Sequence, residues 1–331
     1  MIDSDRVRIP SPLDVRVDAY KDWLHVNLFD PASDSIGLFN MSLHGDPGSP
    51  NALASAAVVW APMDSRVRAT VEVSRLDRAS VSPTGLGLDG RLAIHLDPTD
   101  HAVTVEAVLP DESPVAFECR PIAPVIAAET PAPFGSGWIA WRAFPRMSVN
   151  GARGAGVDVR DLNSAVAYHD HNWGRWHWGD DAGWEWAALL AWDGTSLILS
   201  RTTDRAHRSG SHVMHVVKGP TIRRFAGPAV RWKAHGNFPG RPRRVPGAMA
   251  ALHSGRMAPA LPASIRMQAD DGVDRIEAEF TPKHACQLIT ADPVVPGHGF
   301  IHELLGTFDF EGSVDGVAVG GHGLGVVEHV D

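Results

Sequence analysis

Apolar and polar residues alternate with a period of two along much of this chain. The alternation is clearest in five segments, and it is typical of strands that bury one face. These segments are 91–98 (RLAIHLDP), 101–109 (HAVTVEAVL), 196–202 (SLILSRT), 264–270 (SIRMQAD) and 274–280 (DRIEAEF). No long segment has the spacing and the caps of an amphipathic helix. The pattern therefore predicts an all-β protein with little helix.

Hairpin signals separate these segments. Asn-Gly and Asp-Gly pairs supply the positive φ angles that tight turns between antiparallel strands need. Five such pairs occur, at 89–90, 150–151, 193–194, 271–272 and 315–316. We predict about nine or ten strands before residue 175 and about eight or nine after it. Because about eight to ten antiparallel strands make one barrel or sandwich, we expect two domains, 1–178 and 179–331.

Two stretches lack this alternation. Residues 120–137 are rich in Pro, and residues 234–263 are rich in Gly, Pro, Ala and Arg. Such composition is typical of loops, and loops of this length are usually functional lids or disordered excursions. We therefore expect both stretches to be long loops.

Composition and charge restrict the classes of function that are expected. The 331 residues include 44% hydrophobic and 21% charged residues, and the formal net charge is −9. A dominant nucleic-acid role is not expected, because it usually requires a basic surface. Only Cys119 and Cys286 are present, and we expect both to be free, buried thiols. The N-terminus has no apolar signal-peptide core and no apolar run is long enough to span a bilayer, so we expect a cytoplasmic location.

The stretch YHDHNWGRWHWG, residues 168–179, is the most unusual in the chain. In a strand, alternation places Tyr168, Asp170 and Asn172 on one face and His169, His171 and Trp173 on the other. The next segment, WEWAALLAW, places Trp184 and Trp186 on a common face with Ala188, Leu190 and Trp192. A polar row therefore lies close in sequence to a group of tryptophans.

Three interpretations of this stretch compete. His169, His171 and His177 could bind zinc with Asp170, but His-x-His provides only two convergent ligands and no cysteine stands at a familiar spacing. The polar residues could instead be hydrogen-bonded parts of a core. In the third interpretation, an aromatic pocket holds one carboxyl group, which burial keeps protonated. The poor ligand spacing means that no metal is expected, and because no phosphate-binding glycine loop occurs, no cofactor is expected either.

The motif from Tyr168 to Gly174 resembles the signature of the family that includes carotenoid 1,2-hydratase (hydroxyneurosporene synthase) and the AttH-like proteins. Lipocalin-like Diels–Alderases and non-canonical terpene cyclases are more distant relatives. Segments 18–51, 137–146, 183–204 and 321–330, the last with Glu328, also resemble the family. The resemblance implies two lipocalin-like antiparallel β units with a cavity near their junction. It also implies that Asp170 protonates a carbon–carbon double bond with help from Tyr168.

The resemblance and the residues together give a functional hypothesis. The chain is expected to be a cofactor-free hydratase or cyclase for an isoprenoid or polyene, whose cation is quenched by water or by an internal alkene. A pericyclase that only folds a polyene, and a lipid or isoprenoid carrier without activity, remain alternatives. The expected catalytic residues are Asp170 and Tyr168. The expected substrate-binding residues are Trp138, Trp141, Asn172, Trp173, Trp184 and Trp186, with Trp138 and Trp141 where hydratases carry other polar and aromatic residues. The expected partner is the hydrophobic substrate, reached through transient membrane association, and not nucleic acid.

Overall fold

A computed structural model describes residues 5–8, 19–45, 49–127, 131–208, 210, 212–245, 260–291 and 297–330. It divides the chain into two compact units. Unit 1 consists of Met1–Asp180 and Thr290–His298, and unit 2 consists of Asp181–Ile289 and Gly299–Asp331. The fold is all-β, as the alternation predicts, and the described residues contain no α-helix and only short 3₁₀ turns.

The sheet of unit 1 has fourteen strands. They are β1 (Tyr20–Asp30), β2 (Ser35–His44), β3 (Leu53–Pro62), β4 (Arg68–Arg75), β5 (Ala79–Ser82), β6 (Gly85–Leu88), β7 (Leu92–Leu96), β8 (Val103–Val108), β9 (Pro114–Pro121), β10 (Ile126–Ala127), β11 (Ala132–Phe134), β12 (Gly137–Arg153), β13 (Arg160–Asp161) and β14 (Val166–Arg175). Their order is β4-β3-β2-β1-β14-β12-β9-β8-β7-β6-β5, and β10, β11 and β13 pair with β12. The last strand, β14, therefore closes against the first.

The sheet of unit 2 has ten strands. They are β15 (Gly183–Ala191), β16 (Thr195–Thr203), β17 (Val213–Lys218), β18 (Thr221–Ala226), β19 (Val230–His235), β20 (Arg243–Arg244), β21 (Ser264–Asp270), β22 (Arg275–Ala291), β23 (His298–Val314) and β24 (Val317–Val330). Their order is β18-β17-β16-β15-β24-β23-β22-β21-β19, and β20 pairs with β22. As in unit 1, the last strand of the unit pairs with the first strand of the unit, here β24 with β15.

Each unit has its own apolar core, and alternation determines which residues enter it. In unit 1 the core includes Leu24, Val26 and Leu28 of β1, with Ala167 of β14. In unit 2 it includes Ala187, Leu189 and Ala191 of β15, with Leu197 and Leu199 of β16. Every second residue of these strands faces the core, so the residues between them lie on the opposite face of each sheet.

All five predicted strand segments are strands, and four of the five predicted turns are turns. Gly90, Gly194, Gly272 and Gly316 have the positive φ that the hairpins require. The prediction for Asn150-Gly151 is wrong, because both residues lie inside β12 and pair with β9. A Cβ at Gly151 would lie 2.3 Å from the Ala116 carbonyl oxygen, so glycine there permits a close strand approach.

The remaining fold predictions had mixed outcomes. The strand counts were too low, since very short strands such as β10, β13 and β20 carry almost no alternation. The predicted loop 120–137 contains β10 and β11, and 128–130 lie outside the described residues. The predicted loop 234–263 contains β20, and 246–259 lie outside the described residues.

Cys119 and Cys286 are free and buried, as expected. No described helix has the length and apolarity that crossing a membrane requires.

Candidate active site on the central strand of unit 1

Strand β14 lies between β1 and β12, and its two faces carry different groups. Register places His25 of β1 and Ala143 of β12 directly opposite Asp170. Leu24 of β1 and Arg142 of β12 lie opposite His171. Because Leu24 belongs to the core of unit 1, His171 faces the core and Asp170 faces away from it. Both residues are nevertheless buried.

Asp170 is held by its two neighbours on the same strand face. The Tyr168 hydroxyl donates to Oδ2 at 2.7 Å, and the Asn172 amide donates to Oδ1. Tyr168 is fully buried and Asp170 is only 3% exposed. Both donors are neutral, so these contacts bring no compensating charge to the carboxyl group. The alternation predicted for Tyr168, Asp170 and Asn172 is confirmed.

A second polar network lies beside Asp170 on β1 and β2. Ser42 donates to Asn40 Oδ1 at 2.5 Å, and the Asn40 amide donates to His25 Nδ1 at 3.3 Å. His25 Nε2 lies 3.0 Å from Asn27 Oδ1, which can only accept. His25 Nε2 is therefore assigned as the donor to Asn27. This network places the His25 imidazole beside the carboxyl group.

Two tryptophans share the strand face of Asp170, two positions along from it. Trp23 of β1 and Trp141 of β12 lie on either side of Asn172 in the register. Directly opposite Asp170, Ala143 contributes only a methyl group, so the side chain of β12 is small at this point. The face therefore combines one carboxyl group with indole rings.

The structure separates other predicted site residues from Asp170. Trp173 lies on the face of His171, where the Arg8 guanidinium stacks on its ring at 4.2 Å. Trp138 pairs with Arg175 and lies on that same face. Trp138 and Trp173 are therefore not brought together with Asp170, whereas Tyr168, Asn172 and Trp141 are.

The core face of β14 carries a charged cluster. His171 Nδ1 lies 2.7 Å from Asp5 Oδ1, and His171 Nε2 lies 2.9 Å from Asp22 Oδ1. Burial alone would lower the pKa of His171, but the charges of Asp22 and Asp5 raise it to about 10. Burial likewise opposes ionisation of Asp5, yet His171 and His169 hold the Asp5 pKa well below its usual value. His171 is therefore an imidazolium between two carboxylates.

These contacts do not make the histidines of the motif a metal site. Both ring nitrogens of His171 are engaged by carboxylates, and a metal ligand needs a free, deprotonated nitrogen. His169 contacts the His25 carbonyl oxygen at 2.8 Å and Asp5 Oδ2 at 3.3 Å. Both histidines connect the segment at residues 5–8 to β14 instead.

Part of the tryptophan cluster packs around a buried lysine. Lys21 is fully buried, and its Nζ lies 5.1 Å and 5.7 Å from the ring centroids of Trp176 and Trp178. Its ammonium group also donates to the Trp176 carbonyl oxygen. Trp23 packs edge-on against Trp176. Trp176 and Trp178 therefore have a structural role in unit 1.

Two tryptophans of unit 2, Trp184 and Trp186, lie on one strand face, as alternation predicts. Trp184 and Trp186 are on the face of β15 opposite the core residues Ala187 and Leu189. Trp184 Nε1 donates to Glu328 Oε2 at 2.8 Å. Their assignment to substrate binding stays a prediction.

Sequence reasoning missed the residues of β1 and β2. In KDWLHVNLFD, residues 21–30, Trp23, His25 and Asn27 alternate with Leu24, Val26 and Leu28. That alternation shows that Trp23, His25 and Asn27 share one face. It does not show that β1 lies beside β14, about 145 residues later, so no local signal could place His25 next to Asp170.

The chain is similar to solved structures of known proteins, but sequence comparison finds no match. No protein-family model matches the chain, and no curated protein matches it either. A candidate AttH protein from Nitrosomonas europaea superposes with a TM-score of 0.67 at 17% identity, covering 97% of this chain and 96% of that one. Kievitone hydratase from Nectria haematococca gives 0.62 at 12% identity, covering 98% and 97%. CghA with Sch210972 gives 0.62 at 13% identity, covering 95% and 89%.

These similarities establish the fold. The two β units have the lipocalin-like architecture of the three structures over nearly the whole chain. The AttH-like part of the resemblance is thereby supported, and the carotenoid 1,2-hydratase part stays a prediction.

Proposed function

We propose that this protein is an enzyme of the hydratase or cyclase type that acts on a hydrophobic isoprenoid or polyene. The observation that carries the proposal is the buried Asp170 carboxyl group, hydrogen-bonded only to neutral donors in its described contacts. A neighbour in fold, kievitone hydratase, is named for a hydration reaction, which adds support from the same architecture.

The two hydrogen bonds give the two oxygens of Asp170 different roles. The Asn172 amide nitrogen can only donate, so Oδ1 must remain an acceptor. The Tyr168 hydroxyl can donate or accept, so it can accept a proton carried by Oδ2. The proposed acid must carry a proton, and Oδ2 is the oxygen whose hydrogen-bond neighbour can accept it. The acidic proton is therefore assigned to Oδ2, between Asp170 and Tyr168.

The proposed reaction begins with transfer of this proton to one carbon of a substrate double bond. The other carbon becomes a cation, and Asp170 becomes a carboxylate that Tyr168 and Asn172 stabilise as donors. The faces of Trp23 and Trp141 stabilise the cation without forming a bond to it. Water then adds to the cation and returns a proton to Asp170, giving an alcohol. If an internal alkene attacks instead, a ring forms, and loss of a proton to Asp170 gives a cyclic alkene.

The test is to incubate isoprenoid alkenes and polyenes with the enzyme in D₂O and in H₂¹⁸O. Hydration places deuterium on carbon and ¹⁸O in the alcohol, whereas proton-initiated cyclisation places deuterium alone. We expect Asp170→Asn to lower the rate by about 10²–10⁴-fold, because it keeps the shape but removes the acidic proton. Asp158→Asn, at an exposed aspartate, is the matched control and should leave the rate unchanged.

Two outcomes would overturn the proposal. A product without deuterium that Asp170→Asn still forms indicates a pericyclic reaction. Saturable binding of apolar ligands with no product from any of them indicates a carrier.

A further inference from the structure

A cluster of polar residues lies on the core face of unit 2, at the end of β15. Glu185 alternates with the core residues Ala187 and Leu189, and it is only 3% exposed. His329 of β24 and Arg201 of β16 lie directly opposite it in the register. A carboxylate in an apolar core requires partners, and this one has several.

The two oxygens of Glu185 have separate partners. Arg201 Nη2 lies 2.8 Å from Oε2, and His212 Nε2 lies 3.4 Å from the same oxygen. On the other side, His207 Nδ1 and His329 Nδ1 lie 3.5 Å and 3.9 Å from Oε1. Arg201 therefore orients the carboxylate, and Oε1 points toward two imidazoles.

From this geometry we infer that Glu185, His207 and His329 form a binding site for a first-row divalent transition metal such as Zn²⁺. One ligand atom from each residue lies within 4.8 Å of the other two. One carboxylate and two imidazoles are a donor set that suits zinc, and three protein ligands leave a position for water. Hydrogen bonds to a ligating carboxylate, such as those to Oε2, are typical of metal sites.

The loop that carries His207 is held in place by local hydrogen bonds. Asp204 Oδ1 accepts hydrogen bonds from the backbone of Ala206 and Arg208, and Arg201 Nη2 also donates to the His207 carbonyl oxygen. His207 has φ of 55°, in the left-handed region that side chains other than glycine seldom adopt. Strained backbone of this kind is concentrated at ligand sites.

Binding must also rearrange the two imidazoles. Their rings are stacked with centroids 3.8 Å apart and planes 17° apart, and two such planes cannot both contain one ion. The side chains of His207 and His329 are 16% and 19% exposed, so an ion can reach them from solvent. We expect the 204–208 loop to shift on binding, and we expect moderate affinity because the Arg201 charge opposes the cation.

The test is titration of chelator-treated protein with Zn²⁺ by calorimetry, with hydrogen exchange of residues 204–208 as a second measurement. We expect one ion per chain and slower exchange in this loop. His207→Asn and His329→Gln should each weaken binding by about 100-fold or more, beyond the usual effect of outer-shell changes. Asn tolerates the left-handed conformation, so the first variant keeps the loop.

The matched controls are His235→Asn and His322→Asn, at exposed histidines outside the cluster. They should bind Zn²⁺ as the unmodified chain does. Absence of saturable binding, or binding that both His207→Asn and His329→Gln retain, would overturn the inference. Circular dichroism of each variant establishes that lost binding does not reflect unfolding. These measurements need no substrate, so they are independent of the proposed reaction.

Discussion

The chain contains only two tyrosines, and the same local sequence surrounds both. Ala-Tyr-x-Asp occurs at 19–22 and again at 167–170, and each tyrosine donates its hydroxyl to the aspartate two residues later. Asp22 also contacts the His171 imidazolium and the backbone N–H of Arg8. Asp170 has Asn172 as its second donor.

The difference lies in the face of the sheet that each pair occupies. Tyr20 and Asp22 lie on the core face of unit 1, where a charge requires an opposite charge beside it. Tyr168 and Asp170 lie on the other face, with neutral donors and indoles. One motif thus supports the fold, and the other holds the carboxyl group that we propose as the acid. Four measurements test this difference between the two faces.

The largest expected effect is a difference in the stability that the protein loses when each aspartate is replaced. Asp22→Asn removes one carboxylate from the His171 cluster, so we expect the free energy of unfolding to fall by about 3–5 kcal/mol. Asp170→Asn replaces a group with neutral partners and should cost only about 1–2 kcal/mol. Guanidinium denaturation at pH 7 measures both values. Equal losses in the two variants would contradict the comparison.

The second effect is a pH dependence from the same cluster. The pKa of His171 is raised from 6.5 to about 10 in the folded chain, so its stabilisation is complete below pH 6.5 and is lost as pH rises toward 10. The free energy of unfolding should fall by up to about 1.4 kcal/mol per pH unit in this range. The lowered pKa of Asp5 acts at the acid end, because its stabilisation is present above pH 3.8 and is lost as pH falls further.

Nuclear magnetic resonance of the His171 ring measures this effect directly. The ring should stay protonated through pH 8, whereas Asp5→Asn should lower its titration midpoint. A midpoint near 6.5 in the unmodified chain would falsify the assignment of His171 as an imidazolium.

The third comparison removes each hydroxyl group in turn. Tyr168→Phe should slow turnover by about 10-fold, because one donor to the Asp170 carboxylate is lost, and should change stability little. Tyr20→Phe should leave turnover unchanged and lower the free energy of unfolding by about 1–2 kcal/mol, since Asp22 loses a donor. The two measurements are a turnover assay and guanidinium denaturation of each variant. A rate loss in Tyr20→Phe as large as that in Tyr168→Phe would show that the faces are not distinct.

The smallest expected effects concern the tryptophans on the two faces. Trp173→Leu removes the ring beneath Arg8 and should lower the free energy of unfolding by about 1 kcal/mol, with KM unchanged. Trp141→Leu should raise KM several-fold, because Trp141 lies beside Asn172 on the face of Asp170. Steady-state kinetics with the substrate found in the labelling experiment, and denaturation of both variants, test this pair. If Trp173→Leu changes KM and Trp141→Leu does not, the assignment of faces to roles is wrong.

The fold class and the faces of single strands could be predicted from the sequence alone. Alternation is a local property, so it identified the five strand segments and placed Tyr168, Asp170 and Asn172 together. It also placed Trp184 and Trp186 on one face. It failed at Asn150-Gly151, because a turn signal and a close strand approach both require glycine.

Only the tertiary structure decided which strands are neighbours. The pairing of β1 with β14 joins residues about 145 positions apart, and it depends on how the whole core is buried. That pairing brought Asp22 to His171 and His25 to Asp170, and the position of residues 5–8 added Asp5. In unit 2, pairing of β15 with β16 and β24 similarly gathered Glu185, Arg201 and His329. Charges at these points are stable only beside the charged and polar side chains that distant strands supply. No local pattern could therefore reveal their partners.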